Sequence, residues 1–507
     1  MRLALLTVGL VFALGGVAAA NPLTTGRIEP FAGAGGDGGF SGDGGPASIA
    51  EFWSPRDLAF DAAGNLYIAD HANDRIRRVN TRGTIATFAG RPLGGLDEGD
   101  GGLAKSAPLS LPHWIAAGGG SLYVLGAPDD DLHTWVRVID SAGFIHRFAG
   151  TATAGFSGDG GPAVNALLDH PRALATDSAG NVYIGERGRI RKVSPSGIIS
   201  TIAGTGTFGF SGDGGPATAA GLDLVLALAT DTHGNLYLSG GNRVRRIAPD
   251  GIITTVAGTG TYGFSGDGGP AQQARIGTAG AIVVDRDGVL FFSDSGHHRV
   301  RAVTSGGTIT TVAGNGKQGG YPMYGSARRA SIESPSGLAL DGHGQLFISS
   351  RVRNTILRFT RGLTSAAAGR CSRAAATAIF ERHRIGNSGF MADPVAQLFC
   401  GHFAGRKSRT MVASGAIPSC GLSAQWFVYR SVRGRWKRVL KVNHGAYLTY
   451  SGRTIHEWQG VLAANDAHCF PSSAKVRNWH WNGARLVHGA WHRKPKLPKH
   501  LPGLPQL

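Results

Sequence analysis

Phe40-Ser41-Gly42-Asp43-Gly44-Gly45-Pro46-Ala47 decides the fold, because it returns. Nearly the same letters stand at residues 156–163, 210–217 and 264–271. A worn copy reads Glu98-Gly99-Asp100-Gly101-Gly102-Leu103-Ala104, and a nearly erased one ends at Gly325-Ser326-Ala327. Self-similarity at a fixed spacing settles architecture before any single residue does. Between copies lie four short runs rich in Ile, Val, Leu, Tyr and Phe. The first set is Leu58-Ala59-Phe60, Leu66-Tyr67-Ile68-Ala69, Arg75-Ile76-Arg77-Arg78-Val79 and Ile85-Ala86-Thr87-Phe88-Ala89. The order recurs over residues 171–204, 225–258, 279–314 and 335–369, with a divergent copy at 112–150.

Such runs, bounded by turn residues, predict strands. Four strands in each of six units predict an all-β fold, a six-bladed β-propeller. A blade cannot bury both faces alone, so the ring must close. Residues 27–33 form an orphan fourth strand ahead of the first unit and are expected to complete the last blade. The corresponding run at 363–369 is weak and alanine-rich.

Asp61…Gly64-Asn65-Leu66-Tyr67-Ile68-Ala69-Asp70…Asn73-Asp74-Arg75-Ile76 resembles an NHL repeat. The resemblance spans roughly residues 27–369 and recurs six times. It implies a six-bladed propeller, in a family of mostly binding platforms and occasional enzymes. The Gly-Phe-Ser-Gly-Asp-Gly-Gly-Pro-Ala insertion resembles a variety common in exported bacterial proteins.

The recurring residues have physical duties. Asp61, Asp177, Asp231, Asp285 and Asp341 each open a turn closed by a glycine three places on. The second unit has Gly118-Gly119-Gly120 instead, which predicts a looser hairpin. Arg75, Arg189, Arg243 and Arg299 form a ladder with Arg77, Arg137, Arg191, Arg245 and Arg301. It reads as an anion-binding wall, or, preferred, as stems packed between blades with heads on carbonyls and carboxylates. The Asp of the repeated loop invites a calcium reading, but each loop offers one carboxylate where calcium wants several. A phosphate-loop reading lacks its Lys. Gly-Gly making a turn, with Pro46, Pro162, Pro216 and Pro270 at the first position of a short helical turn, fits better.

Charge divides the chain. Residues 370–507 carry 21 Lys and Arg against 4 Asp and Glu, a net +17, whereas the rest carries +1. Residues 1–20 read as a signal peptide, with Arg2, an apolar core and Ala18-Ala19-Ala20, so the protein is expected to be secreted, extracellular or surface-associated. No later stretch has the apolar length to span a bilayer. Cys371, Cys400, Cys420 and Cys469 all lie beyond the repeats, so residues 370–491 are expected to be a basic, β-rich domain stapled by disulfides of open connectivity. Six of the nine Trp gather there. Residues 492–507 read as a disordered basic tail.

Three functions compete. The first is a non-catalytic exported scaffold binding an extracellular protein or glycan. The second is a channel-mouth enzyme of the NHL-like lyase or lactonase type. Those lyases hold zinc with histidines at Pro-His steps opening the innermost strands. Here only Pro112-His113 matches, and the corresponding places hold Arg56, Arg172, Leu226, Gly280 and Ser336. His170, one place before its step, is a substitute ligand. The third is a protein tethered to anionic wall polymers by its basic C-terminal region, compatible with the first. The scaffold is preferred. It is expected to be a monomer with no cofactor, no metal and no specific nucleic-acid partner, and Arg56, His113, His170 and Arg172 are its channel-mouth candidates.

Overall fold

The computed structural model describes residues 23–91, 99–126, 134–319 and 325–361 with side chains, and then nine strand backbones between Gln397 and Lys494. The chain forms two compact units. One is Leu23–Arg361, and the other takes in Gly362–Leu507.

The first unit is six antiparallel sheets. Strand β1 (Arg27–Ala32) comes first. Blade 1 is β2 (Pro55–Phe60), β3 (Leu66–Asp70), β4 (Arg75–Val79) and β5 (Ile85–Ala89). Blade 2 is β6 (Trp114–Gly118), β7 (Ser121–Leu125), β8 (Trp135–Ile139) and β9 (Ile145–Gly150). Blade 3 is β10 (Ala173–Thr176), β11 (Val182–Glu186), β12 (Arg189–Val193) and β13 (Ile199–Ala203). Blade 4 is β14 (Ala227–Thr230), β15 (Leu236–Gly240), β16 (Arg243–Ile247) and β17 (Ile253–Ala257). Blade 5 is β18 (Ala279–Val284), β19 (Leu290–Asp294), β20 (Arg299–Val303) and β21 (Ile309–Ala313). After the short β22 (Gly325–Ser326), blade 6 supplies β23 (Pro335–Leu340), β24 (Leu346–Ser350) and β25 (Thr355–Thr360).

The ring closes as the orphan strand predicts. β1 pairs antiparallel with β25, Arg27 facing Thr360 and Ile28 facing Phe359, and becomes the outer strand of blade 6. Glu29 and Arg358 pair across this seam. Gly33 follows at φ +95°, where a Cβ would stand 2.5 Å from the Asn354 carbonyl oxygen, so only glycine fits the exit from the closing strand. Apolar side chains of neighbouring blades interleave at every junction. Ala32, Phe52, Leu58 and Ile68 meet Phe347 and Ile356 between blades 1 and 6, for example. Burying each large aliphatic contributes about 1.5–3 kcal/mol, which is why every blade needs both neighbours.

The repeated loop caps the outer edge of its blade. Gly44 donates to Ile85 O (2.8 Å) and Ile85 donates back to Gly45 O (3.0 Å), so the loop pairs with the start of β5. The same exchange joins Gly101 and Gly102 to Ile145, Gly160 and Gly161 to Ile199, Gly214 and Gly215 to Ile253, and Gly268 and Gly269 to Ile309. The worn sixth copy pairs Ser326 with Arg27 of β1. An uncovered strand edge offers unpaired backbone groups to other chains, and these loops cover it.

Two expectations need correction. Pro46 is extended (φ −64°, ψ 132°) and stands just outside a 3-10 turn at Ala47–Ile49, rather than at its first position. Pro162, Pro216 and Pro270 do the same. The Gly118-Gly119-Gly120 hairpin is tighter, not looser. Gly118 pairs directly with Ser121, leaving a two-residue turn with Gly119 at φ +60° and Gly120 at φ +79°. Two left-handed residues match the twist of the strands they join, and only glycine takes both without strain.

In the second unit, β26 (Gln397–Gly401), β27 (Thr410–Gly415), β28 (Gln425–Val432) and β29 (Arg435–Val442) form one antiparallel sheet. β30 (Ala446–Ser451), β31 (Thr454–Val461), β32 (Ser473–Trp481), β33 (Leu486–His488) and β34 (His492–Lys494) form another, in which β33 and β34 both pair with β32. The expected signal peptide, the expected disulfides of Cys371, Cys400, Cys420 and Cys469, and most of the tail lie outside the described residues and side chains.

Candidate functional site

The six innermost strands, β2, β6, β10, β14, β18 and β23, line a central channel of about 320 Å³. Leu58, Ile115, Leu174, Leu228, Ile282 and Leu338 are among its lining residues, with their side chains buried in the blade cores. The channel opens into a mouth of about 270 Å³ at the end where these strands begin. Asp57 lines both spaces and so marks the neck.

The sequence places three cations here. Arg56 opens β2, Arg172 precedes β10 and Arg351 follows β24, and all three line the mouth. The Arg56 carbonyl accepts from the Ser336 (3.1 Å) and Ser349 (2.5 Å) hydroxyls, which ties blade 1 to blade 6. A Cβ on Gly337 would stand 2.3 Å from that same carbonyl oxygen, so glycine allows the close approach that sets Arg56. Arg172 Nε is buried and meets no hydrogen-bond acceptor among the described residues.

His113 lies among them. Its ring stacks on Trp114 (centroids 3.8 Å apart) and meets His71 edge-on at 5.2 Å. His113 Nδ1 is buried without a partner. Burial, then the charges of Arg56, His71, Arg172 and Arg351, hold the His113 imidazole well below its usual range. Burial and Arg56 likewise lower His71, whose Nδ1 lies 3.3 Å from Pro112 O. Both rings are therefore neutral at pH 7. Burial pushes the Asp57 carboxyl up to about 7, although it accepts from the Leu58 (2.9 Å) and Ile115 (3.1 Å) amides. Among the described residues no other carboxylate lines the mouth.

Of the sequence candidates, Arg56, His113 and Arg172 meet at the mouth, with Leu226, Gly280 and Ser336 on its other sides. His170 does not join them; its Nδ1 turns to Asp169 Oδ1 (2.6 Å), and its backbone is left-handed at φ +51°. The residues do not fit the three-histidine zinc site of the lyase reading. Among the described residues no three His, Cys, Asp or Glu gather in a ligating cluster. Sequence reasoning missed Arg351, His71, Ser295 and Asp57. Arg351, His71 and Ser295 share one repeat position, just after the second strand, where the residue type changes from blade to blade, and only ring closure brings Arg351 beside Arg56.

The arginine ladder resolves into two layers, neither of them a free anion wall. Arg77, Arg137, Arg191, Arg245 and Arg301 are buried and reach the loop aspartates Asp43, Asp100, Asp159, Asp213 and Asp267. Asp213 is fully committed, with Oδ1 on Arg245 (2.6 Å) and Oδ2 on the Thr255 amide (2.9 Å). Arg75, Arg189, Arg243 and Arg299 stack instead over Phe40, Phe156, Phe210 and Phe264, at 3.7–4.0 Å from the ring centroids. Those phenylalanines are exposed, and Trp53, Phe208 and Tyr262 are more so, at 50–55%. All seven border the mouth end of the blades, because the third strands start where the first strands do.

A family model described as the Teneurin NHL domain matches residues 152–210. Teneurin-1 of Homo sapiens is 25% identical over 349 residues, 60% of this chain and 12% of that protein. Teneurin-4 of Mus musculus is 29% identical over 235 residues, 40% of this chain and 8% of that protein. The matches thus span only about a tenth of the relatives' length. Among solved structures, an auxiliary nutrient binding protein from Bacteroides thetaiotaomicron superposes with a TM-score of 0.48 at 16% identity, covering 66% of this chain and 76% of that one. A virginiamycin B lyase from Staphylococcus aureus gives 0.36 at 13%, covering 61% and 94%.

Proposed function

The chain is an NHL-repeat β-propeller protein, and from that premise we propose that it is an exported, non-catalytic binding platform whose mouth face engages an extracellular protein or glycan. One observation carries the reading: exposed aromatics stand with half-buried arginines around the mouth, while the one carboxylate lining it among the described residues is held by two backbone amides. Aromatic and arginine side chains supply most of the energy in recognition surfaces. None of the described helices is long and apolar enough to cross a membrane. The basic C-terminal unit, proposed to be held by two disulfides, would add a loose attachment to anionic surface polymers, since a field of one sign attracts polyanions generically.

The test is retention of the full chain on immobilised glycan and protein arrays, compared with Thr278→Trp. Thr278 is exposed on the mouth wall, and an indole there would obstruct the mouth without touching the blade cores. Retention that Thr278→Trp abolishes supports the platform. Retention that it leaves intact moves the binding surface elsewhere.

A further inference from the structure

Arg172 and Arg351 line the mouth half-buried, yet their guanidinium groups make no hydrogen bond or ion pair with any described residue. Arg56 differs, because it is already engaged within the protein. The ladder arginines differ too. Arg191 and Arg245 each meet a loop aspartate and a backbone carbonyl. Arg172 Nε is shut away from solvent without an acceptor, which leaves its terminal nitrogens to do all of its bonding; no nitrogen of Arg351 is enclosed in this way. Nothing lining the mouth balances the pair. Asp57 is the one carboxylate there among the described residues, and it accepts from the Leu58 and Ile115 amides. Even with Asp57 ionised, two guanidinium charges face one carboxylate. Charge drawn out of bulk water without a counter-charge is unfavourable, so an anion in the mouth gains what these side chains lack.

The ring places the two arginines so that they select the shape of the anion. Arg172 leads into blade 3 and Arg351 follows the second strand of blade 6, half a turn away in a ring of six blades. They approach from opposite sides, with the mouth of about 270 Å³ between them. A guanidinium donates as a planar fork to two oxygens. A carboxylate presents both its oxygens in one direction, with carbon behind them, and so faces one fork squarely. A tetrahedral oxyanion presents oxygens on several sides and faces two. We propose that the mouth holds one tetrahedral oxyanion, a sulfate or phosphate group, between Arg172 and Arg351. This rests on the platform reading and supplies the chemistry of the group that the mouth engages. His113 of blade 2 lies beside the same place, since the charges of both arginines act on its ring. An anion there offsets those charges and favours the imidazolium.

Titration calorimetry of the full chain with sulfate, inorganic phosphate and acetate, at constant ionic strength, tests this. Sulfate or phosphate should bind, the tighter of the two identifying the group, and acetate should bind about tenfold or more weakly because it meets one fork. Arg172→Gln and Arg351→Gln should each weaken the tighter ion about tenfold or more, with the melting temperature of the free protein preserved. The basic C-terminal unit also attracts anions, so a charge-matched control is needed. Arg82→Gln/Arg286→Gln removes the same charge from exposed turns at the far end of the blades and should leave this binding unchanged. The bound ion should also raise the His113 pKa, followed through its ring proton resonances. Acetate binding as tightly as the tetrahedral ions would overturn the assignment of shape. Binding that survives the Arg172→Gln/Arg351→Gln double variant, an equal loss in the far-end control, or an unmoved His113 would overturn the site altogether. A chain that binds neither tetrahedral ion yet loses array retention on Thr278→Trp remains a mouth-face platform for another ligand, so the two readings fail separately.

Discussion

Asp159 of the repeated loop and Arg191 of the third strand of blade 3 form an ion pair at 2.6 Å across 32 residues. Arg191 is fully buried, while the Asp159 side chain is 40% exposed. The pair pins the loop over the blade edge. Arg191 also donates to Ser157 O (3.0 Å), so one guanidinium holds the loop at two points. The arrangement recurs at Asp43–Arg77, Asp100–Arg137, Asp213–Arg245 and Asp267–Arg301, which explains why Asp survives even in the worn second copy.

Asp159→Asn should therefore cost about 1.5–3 kcal/mol, the usual worth of a hydrogen bond to a charged group, because Arg191 stays buried with less compensation. Urea midpoints measure it. Burial works to raise the Asp159 pKa, but bonds from Thr201 and Arg191 and the Arg191 charge lower it on balance. A lowered carboxylate stabilises above its unfolded pKa and loses that contribution as pH falls through the folded one, so the wild-type advantage should begin to fade below about pH 4 and be gone only once pH has passed the lowered folded value. A substitution with no effect at pH 7 would make the loop a passive cover.

Deleting residues 23–33 should reopen the ring, since β1 is the outer strand of blade 6 and Ile28 and Ala32 are buried in two different junctions. Removing such a strand exposes an edge and at least one large aliphatic. Loss of about 3 kcal/mol or more would lower the melting temperature by roughly 4 °C or more, at about 1.4 °C per kcal/mol for a unit of 339 residues. An unchanged melting temperature would mean that a later segment closes blade 6. Gly33→Ala should reproduce part of the loss by clash alone.

The blade count and the closing strand were readable because both are local patterns: period-two runs between turns, and one run too many at the start. The duty of the Ser-Gly-Asp-Gly-Gly-Pro-Ala loop was not. Pairing with an outer strand leaves no mark in the loop's own letters, and Asp43 and Arg77 become partners only after β4 and β5 have formed. The mouth was half readable. Arg56, His113 and Arg172 sit at one repeat position, so alignment of the units found them. Arg351 and His71 come from turns at another repeat position, and only the closed ring sets them beside the first three.

Polyanion binding should divide between the units. The full chain should adsorb to an immobilised sulfated polymer at low salt and elute as ionic strength rises, because a Debye length of about 8–10 Å at 0.1–0.15 M screens surface charge. A chain ending at Arg361, which keeps the whole propeller unit, should adsorb far less, as residues 370–507 hold +17 of the total +18. Equal adsorption by the shortened chain would assign the attraction to the mouth.

Glu186 gives the sharpest dependence on pH. It ends the second strand of blade 3, where Asp70 stands in blade 1 and Asp294 in blade 5. Asp70 accepts from the Trp53 amide (2.8 Å), and Asp294 faces His297 Nδ1 at 2.6 Å. Glu186 has neither; both its oxygens are buried without a hydrogen bond, and Arg191 Nη1 lies 3.6 Å away. Burial pushes its carboxyl from 4.5 up to about 8, against the pull of Arg191. Between those values the folded protein holds a proton that the unfolded chain releases, so stability falls as pH rises from 4.5 to 8 and then levels. Glu186→Gln keeps the shape and removes the titration. It should flatten that decline and be the more stable form at pH 9, by an amount on the order of a few kcal/mol at about 1.4 kcal/mol per pKa unit. Urea midpoints at pH 5 and pH 9 measure both arms. Parallel curves for the two proteins would show that Glu186 stays ionised in the fold and that Arg191 is its counterion as well as that of Asp159.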